Sequence, residues 1–186
     1  GKLEQNGMTY DCFSRGNKMR KDNIVTGDVM EMEKNKFLDT YDTVVNYILL
    51  KEYNIEENLN YIKSLLAFCK KANVKKLIQI SSISVYSNEL EYVNEKTEIE
   101  KDFHNKGGYA SLKVAVDHYL IENPIEGLQI CFLRPGYIYE KNHEPSKAGI
   151  LISKFGLNIL LGDKNTVLPL IDKNKIHEAI VKIAKE

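Results

Sequence analysis

Residues 75–82 read KKLIQISS, and Leu77 to Ile80 are apolar at all but one position. That is the pattern of a strand with no face turned to water, and such a strand needs helices on both sides. The flanking sequence supplies them. Upstream, a helix is predicted from about Glu56 to Asn73: Leu59, Ile62, Leu65, Leu66 and Cys69 share one stripe, while Lys63, Lys70 and Lys71 fall mostly elsewhere. Downstream, an amphipathic run extends from about Gly108 to Glu122. Further out lie the β-rich runs MTYDCFS, NIVTGD and DTVVNYIL on one side and LQICFLRP on the other. Strands alternating with helices imply βαβ crossovers, so the fold expected is α/β, a doubly wound, mostly parallel sheet with helices on both faces. After Pro135 the pattern predicts a helical stretch around Ile150 to Leu157, a short run VLPLI, and a closing helix from about Asn174 to Ala184 with Ile176, Ile180 and Ile183 on one face.

At 186 residues the chain suits one globular unit with a sizeable core. Lys+Arg and Asp+Glu both count 26, so there is no net positive field to hold nucleic acid or an anionic membrane. A small-molecule partner is expected instead. Cys12, Cys69 and Cys131 are an odd set within apolar stretches, which suits reduced thiols and a cytoplasmic protein better than a disulfide framework. No apolar stretch approaches the length of a membrane span, and the first residues show no signal-peptide core. The histidines, His104, His118, His143 and His177, lack ligand spacing, so no metal site is expected. Loop-like stretches at 86–107 and 139–148 are where a substrate would gain access.

In doubly wound sheets ligands bind at the carboxyl ends of the strands. The positions to watch are therefore Ser14, Arg15, Asp28, Asn46, Ser81, Ser82, Arg134 and Pro135. Residues 107–117, GGYASLKVAVD, add Tyr109 and Lys113, four apart and so on one helix face. A phenol ionises near ~10, too high for a base at neutral pH, and a neighbouring ammonium favours the phenolate. Taken alone, each feature has a plain explanation: a core tyrosine with a surface lysine, and a strand-end serine bonding local backbone. Taken together, Ser82, Tyr109 and Lys113 make a proton-transfer set.

In this arrangement the sequence resembles the extended short-chain dehydrogenase/reductases, the branch of the NAD-dependent epimerases and dehydratases. The resemblance runs over nearly the whole chain. KKLIQISSISVYS is similar to the strand ending in the family's catalytic serine or threonine, here Ser82, and YASLK matches its catalytic Tyr and Lys, here Tyr109 and Lys113. GDVMEME resembles the segment whose acid, here Asp28, contacts the cofactor's adenine. DTVVN, ending in Asn46, resembles the strand beneath the nicotinamide half, and ENLNYIKSLLAFCKKANVKKLI resembles the helix opening with a family asparagine, here Asn58. FLRPGYIYE resembles the later strand with Arg134 and Pro135 at the cofactor end. Two glycines of the family pattern are Ser87 and Glu140 here, and bulky Tyr47 to Leu49 stand where a small residue is usual. The glycine-rich phosphate loop is not in this sequence; GKLEQNGM resembles the tail of the helix that follows it. In the order 3-2-1-4-5-6 the first strand is central, so an open edge is expected beside the MTYDCFS or DTVVNYIL strand.

The resemblance implies a Rossmann-type dinucleotide-binding domain over residues 1–140 and a small partial substrate lobe over 141–186, intermixed with the last core elements. It implies an NAD(P)-dependent enzyme acting on a nucleotide-linked sugar, with epimerisation, dehydration and reduction all open. Tyr109 would be the general acid/base, Lys113 would lower its pKa and hold the nicotinamide ribose, and Ser82 would orient the reacting oxygen. Ser14, Arg15, Asp28, Asn46, Arg134 and Pro135 would bind cofactor. Ser14-Arg15 stands where NAD-preferring members carry an acid, which favours NADP over NAD. A homodimer is compatible with this reading. The alternative is a non-catalytic member, binding a dinucleotide or serving in regulation or assembly.

Overall fold

The computed structural model describes residues 2–38, 40–50, 54–140, 151–154, 157–160 and 169–186, with backbone alone at 2, 151–154 and 157–160. A short helix α1 (Lys2–Gln5) stops at Gly7, whose φ of 72° is the left-handed conformation that glycine takes without penalty. Strands β1 (Cys12–Arg15), β2 (Met19–Lys21) and β3 (Ile24–Gly27) follow. The β2–β3 turn places Asp22 at a φ of 51°, a conformation aspartate tolerates better than most residues. Strand β4 (Thr43–Asn46) leads to helix α2 (Ile55–Lys71), where the Asn54 side chain caps the first turn by accepting from Glu57 N at 3.0 Å. Then come β5 (Lys76–Ile80), α3 (Gly108–Glu122), β6 (Gln129–Leu133) and β7 (Tyr137–Tyr139). Strands β8 (Leu151–Lys154), β9 (Leu157–Leu160) and β10 (Leu170–Asp172) precede the last helix, α4 (Lys173–Lys185).

Six of the strands form a Rossmann-like α/β arrangement in two halves, while β7 pairs with β10 and β8 with β9. One half has the order β2-β3-β1, with β1 and β3 parallel; the other has the order β4-β5-β6, all parallel. Helices cover both faces of the second half because β5 alternates its side chains. Leu77 packs with Tyr61, Leu65 and Cys69 of α2 and Leu112, Val116 and Leu120 of α3, whereas Ile78 packs with Ile176 and Ile180 of α4. Lys76 Nζ also reaches the Ile183 carbonyl, fastening the closing helix to the sheet.

Between the halves, among the described residues, β1 is paired on one edge only, with β3, and β4 on one edge only, with β5. Both strands line a solvent-open cavity of about 660 Å³, with Phe13, Val44 and Asn46, Tyr61 and Leu65 of α2 and Ile180 of α4 on its walls. The cavity lies where a doubly wound sheet carries its central strand. Among the described residues, both strands therefore keep the open edge expected from the sequence.

One expectation is corrected. The stretch around Ile150 to Leu157 is not helical where it is described: β8 and β9 pair antiparallel, Leu151 opposite Leu160 and Lys154 opposite Leu157. Ile-Ser and Asn-Ile alternation on either side of Phe155-Gly156 satisfies a two-residue period, and a run this short does not distinguish the two periods well. The expected division near residue 140 adjoins 141–150, which lie outside the described residues, as does most of the loop expected at 139–148.

Candidate functional site

Because β1, β3 and the β4–β6 set run parallel within their halves, Ser14, Arg15 and Asp28 stand at one set of carboxyl ends, and Asn46, Ser82, Arg134 and Pro135 at the other. Ser82 caps a 3₁₀ turn over Ile83–Val85, its Oγ accepting from Ser84 N at 3.2 Å. The Ile83 N–H donates to the Pro135 carbonyl at 3.0 Å, so the turns after β5 and β6 are tied together. The plain role foreseen for a strand-end serine is thus filled by Ser82, and its hydroxyl proton is still free to be donated elsewhere.

Tyr109 lies in the first turn of α3 and is 38% exposed. Lys113, one turn later, is buried: its Nζ lies 5.6 Å from the Tyr109 ring centroid and donates to the Ile80 carbonyl at 2.7 Å. The ammonium is thereby held between the tyrosine ring and the end of β5, two residues before Ser82. Burial pushes the Lys113 pKa below the ordinary lysine value, and the charge of Asp117 partly offsets this.

Asp117 is the residue that sequence reasoning passed over. It is wholly buried, a further turn along α3, and its Oδ2 accepts from Ser81 Oγ at 2.9 Å and from Arg134 Nε at 3.0 Å. Arg134 Nη1 also donates to the Tyr86 hydroxyl at 3.2 Å, and its guanidinium lies against the rings of Tyr86 and Phe132. Burial raises the Asp117 pKa above the usual carboxylate value, opposed by Arg134, Ser81 and Lys113. Asp117 Oδ1 is buried without a partner among the described residues. The signal available in sequence was an acid ending the apolar run LKVAV, where no solvent-facing position is due.

Asn46 is also buried and engaged. Its Nδ2 donates to Gln79 Oε1 at 2.8 Å, while its Oδ1 accepts from the Tyr61 hydroxyl at 2.6 Å and from Ile48 N at 3.0 Å. Asp28 caps the 3₁₀ turn Val29–Lys34 by accepting from Met30 N at 2.9 Å, and is exposed, as are Ser14 and Arg15. Gly27 just before it is required by packing, since a Cβ there would strike the Asn35 amide.

These residues fit a dinucleotide at its two ends only. A buried cation beside an exposed phenol suits a ribose and reacting carbon, and the exposed Ser14, Arg15 and Asp28 suit an adenosine. The described residues provide no run of backbone N–H groups at a helix N-terminus with close-approach glycines for the pyrophosphate.

The model of the NAD dependent epimerase/dehydratase family matches residues 2–176. No curated protein matches the chain in sequence. Among solved structures, a UDP-N-acetylglucosamine 4-epimerase from Bacillus cereus is 19% identical with a TM-score of 0.71, covering 100% of this chain and 67% of its own. A dTDP-glucose 4,6-dehydratase double mutant from Streptomyces venezuelae with NAD bound is 17% identical with a TM-score of 0.62, covering 88% and 56%. Vestitone reductase from alfalfa (Medicago sativa) is 15% identical with a TM-score of 0.68, covering 100% and 67%. The chain thus spans 56–67% of the length of these three structures, and at such identities they share its fold. Since the family match runs from the first helix into the last, the chain belongs to the NAD dependent epimerase/dehydratase family.

Proposed function

We propose that this chain carries the proton-transfer machinery of an NAD(P)-dependent epimerase or dehydratase acting on a nucleotide-linked sugar. The observation that carries the reading is the placement of the buried Lys113 ammonium 5.6 Å from the Tyr109 ring. A bound nicotinamide supplies the hydride chemistry. The protein's own part is to move a proton at the sugar oxygen. Tyr109, open to solvent, exchanges its phenolic proton with that oxygen; Lys113 stabilises the phenolate by its charge and contacts the nicotinamide ribose; Ser82 donates its hydroxyl proton to orient the oxygen. The nucleotide sugars named for the epimerase and dehydratase structures support this substrate class. The alfalfa reductase shows that the same fold serves other substrates.

At the adenosine end, Arg15 pairs with a 2′-phosphate and so favours NADP. Arg134 and Pro135 are read as cofactor-binding residues at the end of β6, where the Arg134 guanidinium is held by Asp117 and Tyr86 and the Pro135 carbonyl by Ile83 N. A second reading is a member of the family that keeps the fold without catalysis and binds a dinucleotide or serves in regulation or assembly.

The test is turnover by the full-length protein that carries this sequence, with UDP-N-acetylglucosamine and dTDP-glucose as probes, NAD or NADP present, and sugar products read by NMR. Tyr109→Phe is expected to abolish turnover and leave cofactor affinity nearly unchanged, Lys113→Met to impair both, and Arg15→Glu to weaken NADPH more than NADH. Near-normal turnover by Tyr109→Phe removes Tyr109 from the mechanism, and cofactor binding without turnover of either sugar favours the non-catalytic reading.

A further inference from the structure

We propose that Asp117, clamped by Ser81 and Arg134, is a positioning residue that fixes Lys113 in place and sustains its charge. The inference rests on the reading of Lys113 as the cation that serves Tyr109. Three separate elements meet at this one carboxylate. Ser81 comes from the end of β5, Arg134 from the end of β6, and Asp117 itself from the middle of α3. Helix α3 has no side-chain cap at Gly107, so its first turn, which carries Tyr109, is not located by a capping bond from its own cap residue. The Asp117 contacts locate the helix from further along, and with it the Lys113 side chain that reaches back to the Ile80 carbonyl.

The paired serines at the end of β5 divide the work. Successive residues of an extended chain point to opposite sides. Ser81 is buried and donates inward to Asp117, which leaves Ser82 to open the turn toward Pro135. A buried carboxylate costs free energy unless hydrogen bonds and a counter-charge compensate it, and here one oxygen takes both bonds while the other has no partner among the described residues. An arrangement that tolerates this burial for packing alone would be better served by an apolar residue of similar volume. Its consequence for the neighbouring cation supplies a reason for the charge. The charged and titratable groups facing the pair are Arg134 from β6, Tyr86 from the 3₁₀ turn through Arg134, and Tyr109 from α3 itself. Asp117 stands four residues beyond Lys113 on α3, one helical turn away, so its charge acts on that ammonium as well as on Arg134.

The experiment follows the lysine ε-carbons and aspartate carboxyl carbons by NMR as pH is varied, in the full-length protein labelled at lysine and aspartate, with Lys113→Gln and Asp117→Asn to assign the resonances. Asp117→Asn removes the negative charge and leaves Arg134 unopposed, and both changes push in one direction. The expected result is a downward shift of the Lys113 midpoint in a variant whose other lysines titrate as before. An unchanged Lys113 midpoint in folded Asp117→Asn overturns the proposal, since a role in packing alone would leave it there. Should Asp117→Asn not fold, the wild type decides: the Lys113 resonance is expected to show a step at the pH where the Asp117 carboxyl carbon titrates, and no step overturns the proposal equally. If Lys113 responds but no nucleotide sugar is turned over, the positioning stands and the reading of the function falls.

Discussion

The Tyr61 hydroxyl donates to Asn46 Oδ1 at 2.6 Å, tying the middle of α2 to the last residue of β4. Asn46 also serves Ile48 N and Gln79, so one side chain satisfies three partners where the sheet ends. Tyr61→Phe removes one bond and leaves Asn46 Oδ1 still paired with Ile48 N, which predicts a loss of about 1 kcal/mol. Asn46→Ala leaves the Tyr61 hydroxyl, Ile48 N and Gln79 Oε1 without it, which predicts about 3 kcal/mol or more. Urea unfolding of both variants checks the order. An Asn46→Ala variant no weaker than Tyr61→Phe would mean that the network holds nothing together.

Lys113 has a pKa below the ordinary lysine value because it is buried. The native state therefore releases this proton more readily than the unfolded chain. By linkage, the residue's stabilising contribution is present above the unfolded value, about 10.4, and is lost as pH falls through the folded value. Lys113→Met abolishes that dependence. The stability difference between wild type and variant is predicted to move in favour of the wild type as pH rises toward about 10. Cys69 and Tyr61, whose pKa values burial raises, work in the opposite direction in both proteins, so the difference rather than either curve is the measurement. A difference independent of pH would show that Lys113 is not perturbed by its burial.

The three cysteines should separate by reactivity. Cys12 is exposed, Cys131 partly so, and Cys69 is buried with its thiol pushed up to about 12, desolvation being the main cause. Only the thiolate attacks, so both access and ionisation protect Cys69. Titration with a disulfide reagent is expected to modify Cys12 first and Cys69 only after urea is added. Three equal rates would place Cys69 outside the core.

Helix α3 was readable in the sequence from its first residue to its last, Gly108–Glu122, because a long apolar run bounded by Gly-Gly and Asn-Pro leaves little choice of ends. Strand β5 was readable because a buried strand has no solvent face to blur its pattern. β8 and β9 were not, since the apolar positions of 150–157 fit a period of 3.6 as well as one of two. At the site, Tyr109 and Lys113 share a helix, and local spacing is enough to pair them. Asp117 and Arg134 lie on different elements 17 residues apart, and no local pattern reports such a contact. The extended edge residues of β1 were also overestimated, as the run MTYDCFS contributes only its second half to Cys12–Arg15.

The cavity between the half-sheets bears on how the chain behaves in solution. β1 and β4 each offer an edge without a strand partner among the described residues, and the space between them holds about 660 Å³ with Phe13, Val44 and Leu65 on its walls. Unpaired backbone groups in apolar surroundings cost on the order of 1–3 kcal/mol each. Open edges of this kind template pairing with other chains. Solutions of the 186-residue chain are therefore expected to associate in a concentration-dependent way, read by light scattering or sedimentation. Cys12 lies on β1 and lines the cavity, so Cys12→Asp puts a charge where an incoming strand must pack and is expected to weaken that association. The same chain is expected to bind NADH and NADPH weakly, because adenosine and ribose contacts leave the pyrophosphate charges without the backbone donors that a glycine loop provides. Isothermal titration reads this directly. A concentration-independent monomer with micromolar affinity for either cofactor would mean that the two edges are closed in solution and that the phosphates find donors elsewhere in the chain.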